Sequence, residues 1–433
     1  MPIAQGAPLG TRSVLAFWFP LAATWLMMAA EGPYIAAIVA RLPDAAYNLA
    51  AYGVAFALGW LAESPIMMLL TASNALVRDR QSFLALRRFT YLLNAGVTVG
   101  LAVGVTPPVF LFLTGRLMGL PPEVAHLAHI ATAILIPWPA AIGYRRFYQG
   151  ILVRHHMTER VAYGTVIRLT SMSVTAAALA EWSALPGAAI GGTALVAGVI
   201  AEAAASRWMA RHVVAGLLGG PAAGTAALTM PAIARFYVPL ALTSIIALIT
   251  GPLVTFFLGH GRLPIESLAV WPVVSSFVFL FRSGGVGYQE VTVALTGTQF
   301  QNDAPVRRTA GLLAACASAA MGIILFTPAA GLWFRGVAGL PAGLFAFAVE
   351  PARILVLLPA LEFVLAYQRG RLIVARRTRL ITLATAIEAA TLGVTMAVCV
   401  GTLDLVGATA AAIALLAGRL AANAFLALPA SRR

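Results

Sequence analysis

The 433-residue sequence contains no lysine, only two cysteines, and 15 acidic residues against 29 basic ones, all arginine. Only 10% of its residues are charged, where a soluble domain carries about 25%. A water-soluble surface cannot be made from so few charges. The cysteines, Cys316 and Cys399, lie in apolar stretches without partners at metal-ligand spacing, which excludes a disulfide framework and a thiolate metal site. No GxxxxGK[ST] loop is present, which excludes ATP-driven transport by this chain alone. No nucleophile, base and orienting group stand in a recognisable arrangement, so the sequence does not describe an enzyme and implies no cofactor or metal. The formal charge of +14 is scattered between apolar stretches rather than gathered in a patch, which argues against nucleic acid as a partner.

What the chain has in abundance is apolar length: 61% of its residues are hydrophobic. Twelve apolar segments follow one another, near 13–40, 46–74, 86–113, 122–151, 161–184 and 187–213, then 231–258, 264–298, 307–333, 340–368, 378–401 and 405–428. Each is long enough to cross a bilayer, which needs about 20 residues as a helix. The fold class predicted is an all-α integral membrane protein with twelve transmembrane helices. The first segment lacks a cleavage pattern and reads as a true span. Arginine placement orients the chain. With the N-terminus inside, 18 arginines fall in inside segments and four, Arg41, Arg116, Arg262 and Arg335, in outside ones. Both termini are therefore expected in the cytoplasm, across an inner membrane of bacterial type.

The chain repeats itself at an offset of 219 residues. Phe17, Pro20, Leu21, Ala22, Thr24, Gly32 and Pro33 match Phe236, Pro239, Leu240, Ala241, Thr243, Gly251 and Pro252, and Tyr148-Gln149 match Tyr367-Gln368. Two pseudo-symmetric six-helix bundles follow, 1–213 and 231–433, joined by a Gly-rich cytoplasmic linker, 214–230. Six is even, so the copies share one topology and are related by an axis along the membrane normal. Pro20, Pro33, Pro239 and Pro252 interrupt the first helix of each half, and Pro65 and Pro272 the second, so the first four are hinge candidates.

The segment Leu49 to Leu58 (LAAYGVAFAL), Arg78-Asp79-Arg80, the run Gln149 to His155 (QGILVRH), Phe236 to Leu242 (FYVPLAL) and Pro351-Ala352-Arg353-Ile354 together resemble the progressive ankylosis transporter family. They lie in order across nearly the whole chain. The resemblance implies membership of the multidrug/oligosaccharidyl-lipid/polysaccharide (MOP) exporter superfamily, with a MATE-like fold and a central cavity that opens to each side in turn. It also implies export of anionic metabolites such as citrate, pyrophosphate or nucleotides.

Ionisable groups at bilayer depth are costly and mark cavities or partners. Arg145, Arg146 and Arg168 in the first half, with Arg282 in the second, are candidate anion ligands, since the guanidinium fork matches phosphate and carboxylate. Tyr148, Gln149, Tyr367 and Gln368 accompany them as polar cavity candidates. Arg282 stands at the position that matches Glu63, a reversal of sign which predicts that the two meet each other or one substrate. Adjacent arginines on a helix point about 100° apart, so at most one of Arg145 and Arg146 can aim at a given target. Glu31, Glu63, Glu290 and Glu362 are candidates for ion coupling or gating. Glu202, Glu388 and Arg419 read as single charges within their spans, and Glu350 and Arg353 as a local pair. The function expected is secondary active export of a small organic or phosphate-containing anion by a monomer, coupled to H+ or Na+. A cation-coupled multidrug exporter and a flippase for a lipid-linked sugar precursor are the alternatives.

Overall fold

The computed structural model describes residues 10–155, 157–220, 228–297 and 299–428. His156, part of the expected linker and both chain ends lie outside the described residues, as does the side chain of Thr243. Every regular element described is helical. Twelve helical spans run in order: α1 (Thr11–Val39), α2 (Ala45–Leu76), α3 (Arg80–Val105), α4 (Pro122–Arg154), α5 (Thr158–Trp182), α6 (Gly187–Met209), α7 (Met230–His260), α8 (Pro264–Leu295), α9 (Asp303–Leu325), α10 (Ala342–Val374), α11 (Thr378–Gly401) and α12 (Gly407–Ala427). All but α5 are long and apolar enough to cross a membrane. Helix α5 has 25 residues and carries Glu159, Arg160, Arg168 and Glu181.

Local chemistry sets the ends of these helices. Asp79 caps α3: its carboxylate accepts from Ser82 N at 2.8 Å, and the Ser82 hydroxyl accepts from Asp79 N at 3.0 Å, a reciprocal box that satisfies two free N–H groups. Pro122 and Pro264 open α4 and α8, where a missing N–H costs nothing.

The backbone carries the repeat more regularly than the residues do. Helix α1 breaks at Ala30 and α7 at Ile249. The left-handed residues Asp44 (φ 51°) and Leu263 (φ 53°) precede α2 and α8. One π-helical turn, Phe112–Leu117, ends the α3 arm, and another, Leu332–Val337, ends the α9 arm. Gly119 and Gly339 follow them with φ of 62° and 70°, values open to glycine at no steric cost. Each of these pairs is 219 or 220 residues apart.

Two compact units result, 34–272 and 1–33 with 273–433. The first is built on α2–α7, the second on α1 and α8–α12, so each has six spans, with the first span of either half placed in the other half's unit. In the 34–272 unit, Phe83, Phe147, Tyr148, Ile151 and Leu152 form a core with Ile233 of α7, and Tyr237 donates to Pro65 O at 2.6 Å. In the other unit, Val14 of α1 packs with Tyr288, Val291 and Phe363, and Trp18 Nε1 donates to Gly284 O at 2.9 Å. The boundaries read from the sequence follow the repeat along the chain, whereas these units follow packing. The segment 214–230 does not start as a loop: a helix, Arg211–Gly219, continues beyond α6.

Outward faces carry Phe19, Val99, Val174, Ile323 and Val394, all more than half exposed. Lipid suits that surface as water does not. Inside, α6 and α12 bury runs of Ala and Gly, whose small size lets neighbouring backbones approach where no hydrophobic effect drives helices together.

Candidate functional site

The most buried charged group of the 34–272 unit, among the described residues, is Glu202 on α6, 1% exposed. Arg145 of α4 donates its Nη1 to Oε2, and Gln149, one turn later on the same helix, donates Nε2 to Oε1 at 3.0 Å. Arg168 of α5 brings its Nη1 to 3.8 Å from Oε2. One carboxylate therefore ties three helices together. Glycines make room for it: a Cβ at Gly198 would lie 3.0 Å from Arg168 O, and one at Gly164 3.4 Å from Glu202 Cγ. Arg146 turns away, as the helix geometry requires. It makes no hydrogen bond or ion pair among the described residues, its buried Nε has no acceptor, and the acid that acts on it most strongly is Glu63. Glu63, 7% exposed, lies within electrostatic reach of Arg146, Arg145 and Arg168.

The other unit holds a second cluster. Glu362 of α10 accepts from Arg282 Nε at 2.9 Å on Oε2 and from Arg419 Nη1 at 3.2 Å on Oε1. Arg419 of α12 reaches on to Glu388 of α11, with Nη2 at 2.9 Å from Oε1. Arg369 donates to Thr385 Oγ1 at 3.1 Å and stands 3.8 Å from Glu388. Glycines again open the space: a Cβ at Gly285 would lie 3.0 Å from Glu362 Cγ, and one at Gly418 2.8 Å from Glu388 O.

The two clusters are the same design with every sign reversed. In chain order, the first has Glu63 on α2, Arg145 on α4, Arg168 on α5 and Glu202 on α6. The second has Arg282 on α8, Glu362 on α10, Glu388 on α11 and Arg419 on α12, each 217 to 220 residues later. Each four-charge ring is neutral by itself. Each carries one further arginine, Arg146 in the first and Arg369 in the second, so each cluster has a formal charge of +1 with its acids ionised.

The structure sorts the remaining sequence candidates. Arg282 pairs with Glu362 within its own unit, whereas Glu63 makes no hydrogen bond or ion pair among the described residues and lies only within electrostatic reach of the first cluster's arginines. Tyr148 is 2% exposed, under the guanidinium of Arg207. Tyr367 donates to Asp303 Oδ1 at 2.8 Å, and Gln368 donates to Asn423 O at 3.3 Å. Asp303 also holds Arg371 at 3.2 Å. Glu31 is half-buried at the α1 break. Glu290 is exposed, in the helix that restarts at Tyr288 after the α8 break at Gly287. Arg353 donates Nε to Leu325 O at 3.0 Å rather than pairing with Glu350. Pro33 and Pro252 lie in the first turn after the breaks at Ala30 and Ile249, and Pro20 and Pro239 lie inside the segments before them. Sequence reasoning took Glu202, Glu388 and Arg419 as isolated charges. The sign reversal seen at Glu63 and Arg282 was the signal that could have joined them.

No family model matches the sequence, and no curated protein does. Solved structures share the fold. A multidrug-resistance MATE family transporter of the MOP superfamily in an inward-facing conformation superposes with a TM-score of 0.69 at 13% identity, over 98% of this chain and 94% of that one. The lipid II flippase MurJ, inward closed, gives 0.67 at 14% identity, over 94% and 86%. A MOP superfamily transporter from Pyrococcus furiosus, described as having a reversed binding-pocket polarity that suggests a different function, gives 0.57 at 14% identity, over 96% and 91%. With its apolar spans, this chain is an all-α integral membrane protein of the twelve-helix, two-bundle MATE-like fold.

Proposed function

We propose that the protein is a secondary transporter that exports a small organic or phosphate-bearing anion by alternating access. The fold it shares with MATE transporters and the flippase MurJ supports transport. The observation that carries the anion is the surplus arginine beside each neutral ring, above all Arg146. Its guanidinium is left over once Arg145 and Arg168 are taken by Glu202. A fork of this kind binds carboxylate or phosphate through paired, charge-assisted hydrogen bonds. Arg145, Arg168, Gln149 and Arg282 serve the site at one remove by holding the rings together. Glu63, buried and without a hydrogen bond or ion pair among the described residues, is the carboxylate placed to carry a coupling proton or to gate. Glu362, held by two arginines, is not.

The test is efflux from proteoliposomes loaded in parallel with labelled citrate, pyrophosphate, ATP and a cationic dye. Anion efflux that Arg146→Gln abolishes, with the thermal unfolding midpoint unchanged, is the expected result. Dye efflux without anion efflux would replace this reading by a multidrug exporter. A second reading, translocation of a lipid-linked phosphate-bearing precursor, is favoured by the likeness to MurJ. It gains if fluorescent lipid crosses the bilayer while none of the soluble compounds does.

A further inference from the structure

On the 34–272 unit, away from the charge ring, a cleft of about 420 Å³ is lined by Arg78, Asp79, Arg80, His155, Gly216 and Leu217, among others. Three connections build it: the α2–α3 turn, the end of α4, and the Arg211–Gly219 helix. One wall, the α2–α3 turn, is cationic through Arg78 and Arg80. Neither Arg78 nor Arg80 makes a side-chain hydrogen bond or ion pair among the described residues, and both are exposed. Asp79, the one acid there, has its carboxylate committed to Ser82 N and Ser82 Oγ, at 2.8 Å each. His155 donates its Nδ1–H to Ile151 O at 2.9 Å. The third wall is apolar and bare. Val213 and Leu217 are half-buried there. A Cβ at Gly216 would meet nothing within 4 Å. Beside this helix, Trp208 is 65% exposed, with the Arg211 guanidinium 4.2 Å over its ring. An exposed Trp capped by a cation is the usual marker of the headgroup layer of a membrane.

We propose that this cleft binds the phosphate of an anionic phospholipid headgroup. Arg78 and Arg80 would hold the phosphate oxygens, and Val213 and Leu217 would cover the glycerol and upper acyl carbons. Free phosphate offers nothing for the apolar wall, which favours the lipid as the source. Arginines at the cytoplasmic border attract anionic lipid in general. The cleft adds a specific place for one molecule, and the test must separate the two.

The probe is dioleoyl phosphatidylglycerol against dioleoyl phosphatidylcholine, each titrated onto the detergent-purified full chain and followed by native mass spectrometry. The wild type should retain one phosphatidylglycerol in preference to phosphatidylcholine. Arg78→Gln/Arg80→Gln should weaken that retention roughly tenfold or more, since each basic residue near the surface contributes measurably to anionic-lipid attraction. Gly216→Leu, which fills the cleft and leaves the charge unchanged, should weaken it too, and it serves if the double variant fails to fold. Arg376→Gln/Arg377→Gln, in the other unit, should retain the lipid as the wild type does. Equal loss with the Arg376/Arg377 variant, or full retention with Gly216→Leu, would overturn the site in favour of diffuse attraction. Competition by millimolar inorganic phosphate as effective as that by phosphatidylglycerol would overturn the lipid assignment and leave a free-phosphate site.

Discussion

At the residue scale, Glu202 decides more than its single charge suggests. Arg145, Gln149 and Arg168 all turn to it, from two helices other than its own. A buried ion pair gives little net stability over an apolar replacement, but removing one partner leaves uncompensated charge. Glu202→Gln should therefore lower stability by ~3 kcal/mol, because two guanidiniums lose their counter-charge at once. Arg145→Gln on top of it should recover part of the loss. The measurement is a double-mutant cycle on thermal unfolding in detergent. Strictly additive effects would deny that the two residues share one interaction. The glycines of the rings give an independent check. Leu at Gly198 or Gly418 would drive Cβ to 3.0 Å from Arg168 O or 2.8 Å from Glu388 O. Overpacking typically costs ~1–3 kcal/mol, so both variants should unfold at lower temperature, whereas Gly311→Leu, where an added Cβ meets nothing within 4 Å, should not.

At the element scale, the breaks in the helices matter more than the helices. The chain passes from one compact unit to the other at only two places, after Pro33 and after Pro272. Pro33 lies in the first turn after the α1 break at Ala30, and Pro272 lies inside the continuous helix Pro264–Val286. A helix-interior proline removes a backbone hydrogen bond and permits a bend that neighbours must support. Beside the hinge candidates Pro20, Pro33, Pro239 and Pro252, we propose Pro272 as a further one, since the chain changes unit after Pro33 and after Pro272. Pro33→Ala and Pro272→Ala should slow turnover several-fold while half-saturation stays near the wild-type value, because only the conformational step is altered. Turnover and half-saturation measured together in proteoliposomes decide it: unchanged turnover in both would make the prolines static kinks.

The sequence made some elements legible and hid others. The twelve spans could be read because each needs an uninterrupted apolar stretch to cross a bilayer, and hydropathy reports that directly. The π turns after α3 and α9, the break at Gly287 and the helix Arg211–Gly219 could not, because each keeps the composition of its surroundings. Glu290 illustrates it: it stands in the helix that restarts at Tyr288, a restart that no change of composition announces. The charge ring was half legible. Glu63 and Arg282 fall at the strict repeat offset, but Arg145 and Glu362, Arg168 and Glu388, and Glu202 and Arg419 are shifted from it by one or two residues. A rigid comparison skips them, while packing brings each to its equivalent place.

At the scale of the whole molecule, the repeat and the packing divide the chain differently. Along the sequence the halves meet in 214–230, yet α7 packs in the unit of α2–α6, and α1 in that of α8–α12. A fragment ending at residue 220 lacks the helix whose Tyr237 caps Pro65 O and whose Ile233 completes the Phe83–Phe147 core. A fragment starting at residue 228 lacks the helix whose Trp18 caps Gly284 O. Each fragment leaves a buried face open to lipid and a backbone carbonyl without its donor, a cost of roughly 1–3 kcal/mol for the carbonyl alone. Neither should be stable by itself. Produced together, the two should reassemble, because helices inserted separately can still associate laterally in the bilayer. The measurement is size-exclusion chromatography of each fragment alone and of both co-expressed, followed by the efflux assay on the mixture. Two aggregating fragments and one monodisperse, transport-active pair would show that the exchange of α1 and α7 is what makes one protein of the two halves. A monodisperse fragment 1–220 with its own cooperative unfolding transition would show instead that the sequence repeat, not the packing unit, is the folding unit.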